Sequence, residues 1–243
     1  MKLQRMLPLL FCISAVAQVP DVNTLNPKQP QTASPPQAQE AHPRPPVAQR
    51  CDYEPHTLTF GLSIDILRCH DAGSQQNENV QSVTVESTHE TNDEGKALTR
   101  IEYIIDKEEN EREAKAENRD PNSHLHEIIA IKFDDASSRI SASSTLRDMG
   151  DGFVAAQAKI GFNKEQDGQF DHRGQPWLRA RQLVVSLKPP VQEGHYPKEI
   201  WTFFRIIADT KHDSIYVLVV SMPNGGNQLV FINKWFDSLT VAP

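Results

Sequence analysis

The sequence predicts an α+β fold, an antiparallel sheet flanked by helices. Three observations carry that expectation. Several segments alternate polar and apolar residues with a period of two, as half-buried strands do. Short polar loops join some of them, which favours hairpins over crossovers. Two later segments repeat apolar residues at three- and four-residue steps, as helices lying on a sheet do.

The first fifty residues stand outside this pattern. Lys2 and Arg5 precede an apolar run over 6–17, interrupted only by Pro8 and Ser14, and Ala15-Val16-Ala17 is a small-x-small cleavage pattern. Residues 1–17 therefore read as a secretory signal peptide. Phe11 precedes Cys12 where a small residue would be needed for lipid attachment, so no acylation is expected there. Residues 18–50 hold eight of the 17 prolines, between Pro20 and Pro46, amid Gln, Ala, Ser and Thr. With almost nothing apolar to bury, this stretch is expected to be a disordered proline- and glutamine-rich linker. The stretch reads as a spacer that holds the domain away from something; docking of Pro35-Pro36 or Pro43-Arg44-Pro45-Pro46 on a partner's aromatic groove is the alternative. Residues 51–243 are expected to be a single domain.

Removing the signal leaves Cys51 and Cys69. In an exported chain an even pair is expected to form a disulfide. Residues 57–67 alternate, with Leu58, Phe60, Leu62, Ile64 and Ile66 on one face, and are expected to be one strand. Residues 80–89 and 98–106 flank the polar loop 91–95 as a hairpin. Residues 106–120 carry eleven charged residues in fifteen. Glu108 with Arg112, and Glu111 with Lys115, are spaced as i,i+4 pairs, which predicts a short exposed helix. No calcium-loop pattern is present there. Residues 126–133 are another strand.

Residues 144–160 place Leu146, Met149, Phe153, Ala156 and Ile160 in one stripe, a helix capped by Ser143 or Ser144 and ended by Gly161. Three strands follow, over 178–187, 199–209 and 214–221. The last two are apolar on both faces, as interior strands of a covered sheet are. Residues 209–213 form a tight loop between them. A helix over 227–239 closes the chain, facing the sheet with Ile232, Trp235, Phe236 and Leu239.

From residue 144 onward this order of elements resembles the PsbP-like α/β sandwich, including bacterial envelope proteins of the DcrB type. The resemblance lies in the helix before a Gly174-Gln175-Pro176-Trp177 turn, the antiparallel strand trio, and the ending Lys234-Trp235-Phe236-Asp237-Ser238-Leu239. It implies a sandwich that binds partner proteins or assists assembly, and it transfers no catalytic residues.

The chain carries 25 Lys+Arg against 32 Asp+Glu, a formal charge of -7. Residues 51–243 are more acidic still, with 20 basic and 30 acidic side chains. That balance argues against nucleic-acid binding. No run of about 18 apolar residues exists, so no transmembrane segment is expected.

The usual catalytic and cofactor motifs are absent: G-x-S-x-G, the P-loop, the dinucleotide glycine pattern and H-E-x-x-H. No cofactor is expected. His124 and His126 are the candidate metal pair, since alternate strand positions share a face; His89 or Glu90 would supply the third ligand. Arg179 and Arg181 alternate onto the face of Leu183 and Val185, where two guanidiniums can grip a carboxylate or phosphate. Ser214, His212 and Asp213 are adjacent in sequence and point apart, so they do not make a triad. The expected function is an exported, non-enzymatic binding domain, periplasmic or extracellular, acting through a protein partner as an assembly factor or inhibitor. A hydrolase with dispersed catalytic residues and a small anionic-ligand binder are the alternatives.

Overall fold

The computed structural model describes residues 49–71, 78–91, 95–117, 124–134, 139–188 and 199–242. The signal peptide and all but the end of the linker lie outside them. The smaller of two sheets holds β1 (Gln49–Thr57), β2 (Leu62–Asp71), β3 (Glu78–Val80) and the short C-terminal β11 (Thr240–Val241). The larger has seven strands: β4 (Val83–Thr91), β5 (Ala97–Ile105), β6 (Leu125–Phe133), β7 (Asn163–Asp171), β8 (Leu178–Leu187), β9 (Ile200–Asp209) and β10 (Ser214–Pro223). Their spatial order is β4-β5-β6-β10-β9-β8-β7, every neighbour antiparallel. Three helices accompany them: α1 (Lys107–Glu117), α2 (Ala142–Lys159) and α3 (Leu229–Ser238). The fold is therefore α+β, mostly antiparallel sheet with few helices.

The central strands of the large sheet are covered on both faces, as their two-sided apolar sequences require. On one face α2 lays Leu146, Met149 and Phe153 across β8 and β9. Phe153 stacks on Phe204 with centroids 4.0 Å apart and planes 4° apart. On the other face Leu62, Ile64 and Ile66 of β2 and Ile232 and Phe236 of α3 meet Ile128, Phe203 and Leu218. Burying each such side chain contributes roughly 1.5–3 kcal/mol. Gly161, at φ 92, ends α2 as the sequence predicts. The stripe finishes on the buried Gln157, however, and Ile160 stays exposed.

Three elements differ from expectation. The strand expected over 57–67 is a hairpin corner: Phe60 and Gly61 take φ 58 and 68, the left-handed region, and turn the chain between β1 and β2. An alternating pattern does not report this, because the period runs on across the turn. A side chain at Gly61 would also bring its Cβ to 2.9 Å from that of Ala242. Second, β7 carries no apolar alternation. It is an edge strand exposed on both faces, held by its ladder to β8. Third, in α1 Arg112 pairs with Glu109, three residues away, at 2.9 Å, and Lys107 pairs with Glu86 of β4. No helix among the described residues is long and apolar enough to cross a membrane.

Candidate functional site

An open, largely apolar groove lies between β1 and α3, floored by the ends of β6 and β10. One hollow, of about 330 Å³, is lined by Tyr53, Gln81, His126, Met222, Phe231 and Trp235 among others. A second, of about 120 Å³, adds Asp65 and Lys234 and shares Tyr53, Phe231 and Trp235 with the first. Two aromatics of its lining are exposed, Phe231 at 66% and Tyr53 at 50%.

Backbone pairing fixes the groove's walls. β2 meets β11 at Leu62 and Ser63 and β3 from Arg68 to His70, leaving Asp65 between them on that edge. Helix α3 fills the gap. The Asp65 N–H donates to Ser238 Oγ at 3.0 Å, and the Trp235 indole N–H donates to the Asp65 carbonyl at 3.0 Å. Ser238 Oγ in turn donates to the Trp235 carbonyl at 2.7 Å. These bonds lock the helix's rotation, so Ile232 and Phe236 face the core while Phe231 and Trp235 flank the groove. Behind them, the buried Arg205 holds the same helix to the sheet. It donates to Asp237 Oδ1 at 2.5 Å and to Gln182 Oε1 at 2.6 and 2.9 Å.

The Asp65 geometry also sets the parity of the β1–β2 hairpin. A residue in an antiparallel strand sends its N–H and C=O to the same side. Both Asp65 groups reach α3, so they point away from β1, and Asp65 with Pro55 is a non-hydrogen-bonded pair. Proline, lacking the N–H, loses nothing there. Leu58 N–H donating to Leu62 O at 2.8 Å fits the same parity. The register is unbroken to Cys51 opposite Cys69, which is therefore also a non-hydrogen-bonded pair. Such partners have Cα atoms ~4.5 Å apart, inside the range of about 4.4–6.8 Å that a disulfide spans. The side chains of Cys51 and Cys69 lie outside what the structure describes.

His126 lies on β6, with its ring centroid 5.8 Å from that of Trp235. Burial lowers its pKa, against a smaller opposing pull from Asp106, so the ring is neutral at pH 7. His124 sits one residue outside the strand. The proposed third ligands are elsewhere: His89 pairs with Thr99, which pairs with Lys132, six residues along β6 from His126. That is about 20 Å at the rise of a strand. Among the described residues no three His, Cys, Asp or Glu side chains converge as a cation site.

Arg179 and Arg181 share a face, and both meet the fold's own acids. Arg179 pairs with Asp171 at 3.2 Å near the exposed strand end. Arg181, 7% exposed, binds Asp167 through two nitrogens at 2.9 and 2.8 Å and Asp151 at 2.8 Å. It also donates to the carbonyls of Leu146 and Arg147. Gly150 makes room for it; a Cβ there would lie 2.6 Å from the guanidinium. His212 pairs with the buried Asp209 at 2.8 Å, and Tyr216 donates to the same carboxylate at 3.0 Å. Ser214 Oγ donates to the His212 carbonyl and Asp213 accepts the Ile140 N–H, so Ser214, His212 and Asp213 do not form a triad.

Sequence reasoning named neither Tyr53 nor Phe231. Neither a protein-family model nor a curated protein sequence matches the chain.

Proposed function

We propose that this chain is an exported binding domain that acts through a protein partner in the cell envelope, with the groove between β1 and α3 as its contact surface. The observation that carries the reading is the pair of exposed aromatics Tyr53 and Phe231 lining a hollow walled by Trp235. Exposed apolar side chains gathered at a concavity mark interaction sites, and aromatic anchors supply most of the energy in such interfaces. Export is supported by the signal-like residues 1–17 and by the facing positions of Cys51 and Cys69. The strand trio β8–β10 and the closing α3 support the PsbP-like resemblance, which would make the domain an assembly factor or inhibitor.

The test is Phe231→Glu in the full chain. Phe231 is mostly solvent-exposed, so the variant keeps its melting temperature while its affinity for a captured envelope partner falls tenfold or more, which corresponds to about 1.4 kcal/mol. Unchanged affinity for that partner would remove the groove from the binding surface.

A further inference from the structure

We propose that β4 pairs edge to edge with β4 of a second copy of this chain, across a twofold axis at Ser87. The surface is separate from the groove. Three observations carry the pairing: the backbone parity of β4, the contrast between the two edges of the large sheet, and the register that the side chains allow.

The large sheet ends at β4 on one side and at β7 on the other. Asp106 N–H donates to Ser82 O at 2.9 Å, one step beyond the Val83–Ile105 pair. Even-numbered residues of β5 therefore turn their backbone groups towards β4. Asp134 N–H donates to Ala97 O at 3.1 Å, so odd-numbered residues of β5 turn theirs towards β6. Ala97 stands opposite Thr91, and the β4–β5 register is unbroken. Val83, Val85, Ser87, His89 and Thr91 thus point N–H and C=O away from β5. No described strand pairs with them on that side.

An open edge invites pairing with another chain unless lysine, proline or a bulge blunts it. β7 has such protection, with Lys164 and a register shift between Lys164 and Gln166. β4 has none of these devices. Its nine residues hold no lysine or proline, and its ladder to β5 has no bulge. Val83, Thr84, Val85, Thr88 and Thr91 are β-branched, as strand residues tend to be, and Val85 is left 53% exposed.

The charges on β4 are Glu86 and Glu90, and they select the register. An antiparallel neighbour must set outward-pointing residues opposite outward-pointing residues. Centred on Ser87, the strand meets its copy along its whole length. Val83 then faces Thr91, Thr84 faces Glu90, Val85 faces His89 and Glu86 faces Thr88. Every glutamate meets a threonine, and the exposed valine gains a ring beside it. Centred one residue earlier, Glu86 faces itself; one residue later, Glu86 faces Glu90. Like charges directly opposite destabilise a pair. Centred on Val85 or His89, nearly half of the strand is left unpaired. The Ser87 register alone joins full length to charge compatibility, and it forms on the order of ten backbone hydrogen bonds.

The experiment combines sedimentation of the full chain over a range of concentrations with amide hydrogen exchange. Sedimentation is expected to show a monomer passing to a dimer. Exchange at Val85, Ser87 and His89 slows at least tenfold from the dilute to the concentrated sample, while Thr84, Glu86 and Thr88 are protected in both. Ser87→Lys sets two ammonium groups against each other at the axis. It raises the dimer's Kd at least tenfold and leaves the melting temperature of the dilute protein unchanged. Phe231→Glu, which tests the groove, leaves the dimer intact. A monomer at every concentration overturns the pairing. A dimer that Ser87→Lys does not weaken overturns it too, by placing the interface elsewhere. Protection of Val85, Ser87 and His89 in the dilute monomer overturns it by showing that the chain covers its own edge.

Discussion

Replacing Gly150 by alanine is expected to destabilise the protein, although alanine is the better helix former. Gly150 lies inside α2, where the exchange alone would add ~1 kcal/mol of helix propensity. The new Cβ, however, would lie 2.6 Å from Arg181 Nη1, 2.8 Å from Cζ and 2.9 Å from Cδ. Arg181 has nowhere to go. Asp167 grips it from β7, Asp151 and two carbonyls grip it from α2, and its side chain is 9% exposed. Overpacking of this kind costs typically ~1–3 kcal/mol, and displacing the guanidinium from its carboxylates adds to it. We expect a net loss of about 1–3 kcal/mol, read as a lower denaturant midpoint at unchanged slope. The cause is isolated by repeating the exchange in an Arg181→Met background, where the loss should shrink by at least ~1 kcal/mol. A Gly150→Ala protein as stable as the wild type would refute the clamp. So would an equal loss in both backgrounds.

Two further predictions follow from buried and paired groups. Burial pushes the Glu127 carboxyl up to about 7 from an ordinary 4.5, with Glu102 and Glu86 adding to it and Arg100 opposing. The folded state then holds a proton that the unfolded state has lost, so stability falls as pH rises from about 4.5 to 7, by on the order of 3 kcal/mol. Glu127→Gln should flatten that slope in urea melts taken across the window, and a slope equal to the wild type's would sink the assignment. Exported protein should show no titratable thiol at Cys51 or Cys69 until it is reduced, and Cys51→Ser should cost on the order of 3 kcal/mol. Two free thiols in the exported, folded protein would rule the disulfide out.

The elements that could be read from the sequence are those whose pattern is set by burial. β9 and β10 are apolar on both faces because α2 covers one side and β2 and α3 the other. α2 shows a stripe because one side meets the sheet. β7 could not be read: an edge strand exposed on both sides needs only backbone partners, and any polar sequence supplies those. The corner at Phe60 was hidden for a related reason. Leu58, Leu62, Ile64 and Ile66 are all buried on the same core, whether the chain turns between them or runs straight.

The groove was harder still, because its walls come from β1, β6, β10 and α3, and no single segment encodes it. Arg179 and Arg181 show the same limit. Alternation placed them on one face, while the carboxylates that neutralise them arrive from β7 and α2. One signal was nevertheless present. Leu229-Val230-Phe231-Ile232 is a run of four apolar residues at the start of a helix. Four consecutive helical positions at 100° intervals go round the whole axis, so a helix resting on a sheet cannot bury all four. The Ser238 and Trp235 bonds to Asp65 decide which ones stay out: Ile232 goes into the core, Val230 and Phe231 stay exposed, and Phe231 lines the groove with Tyr53. An apolar run longer than one face of a helix can bury is therefore a sequence mark of a surface built to be covered.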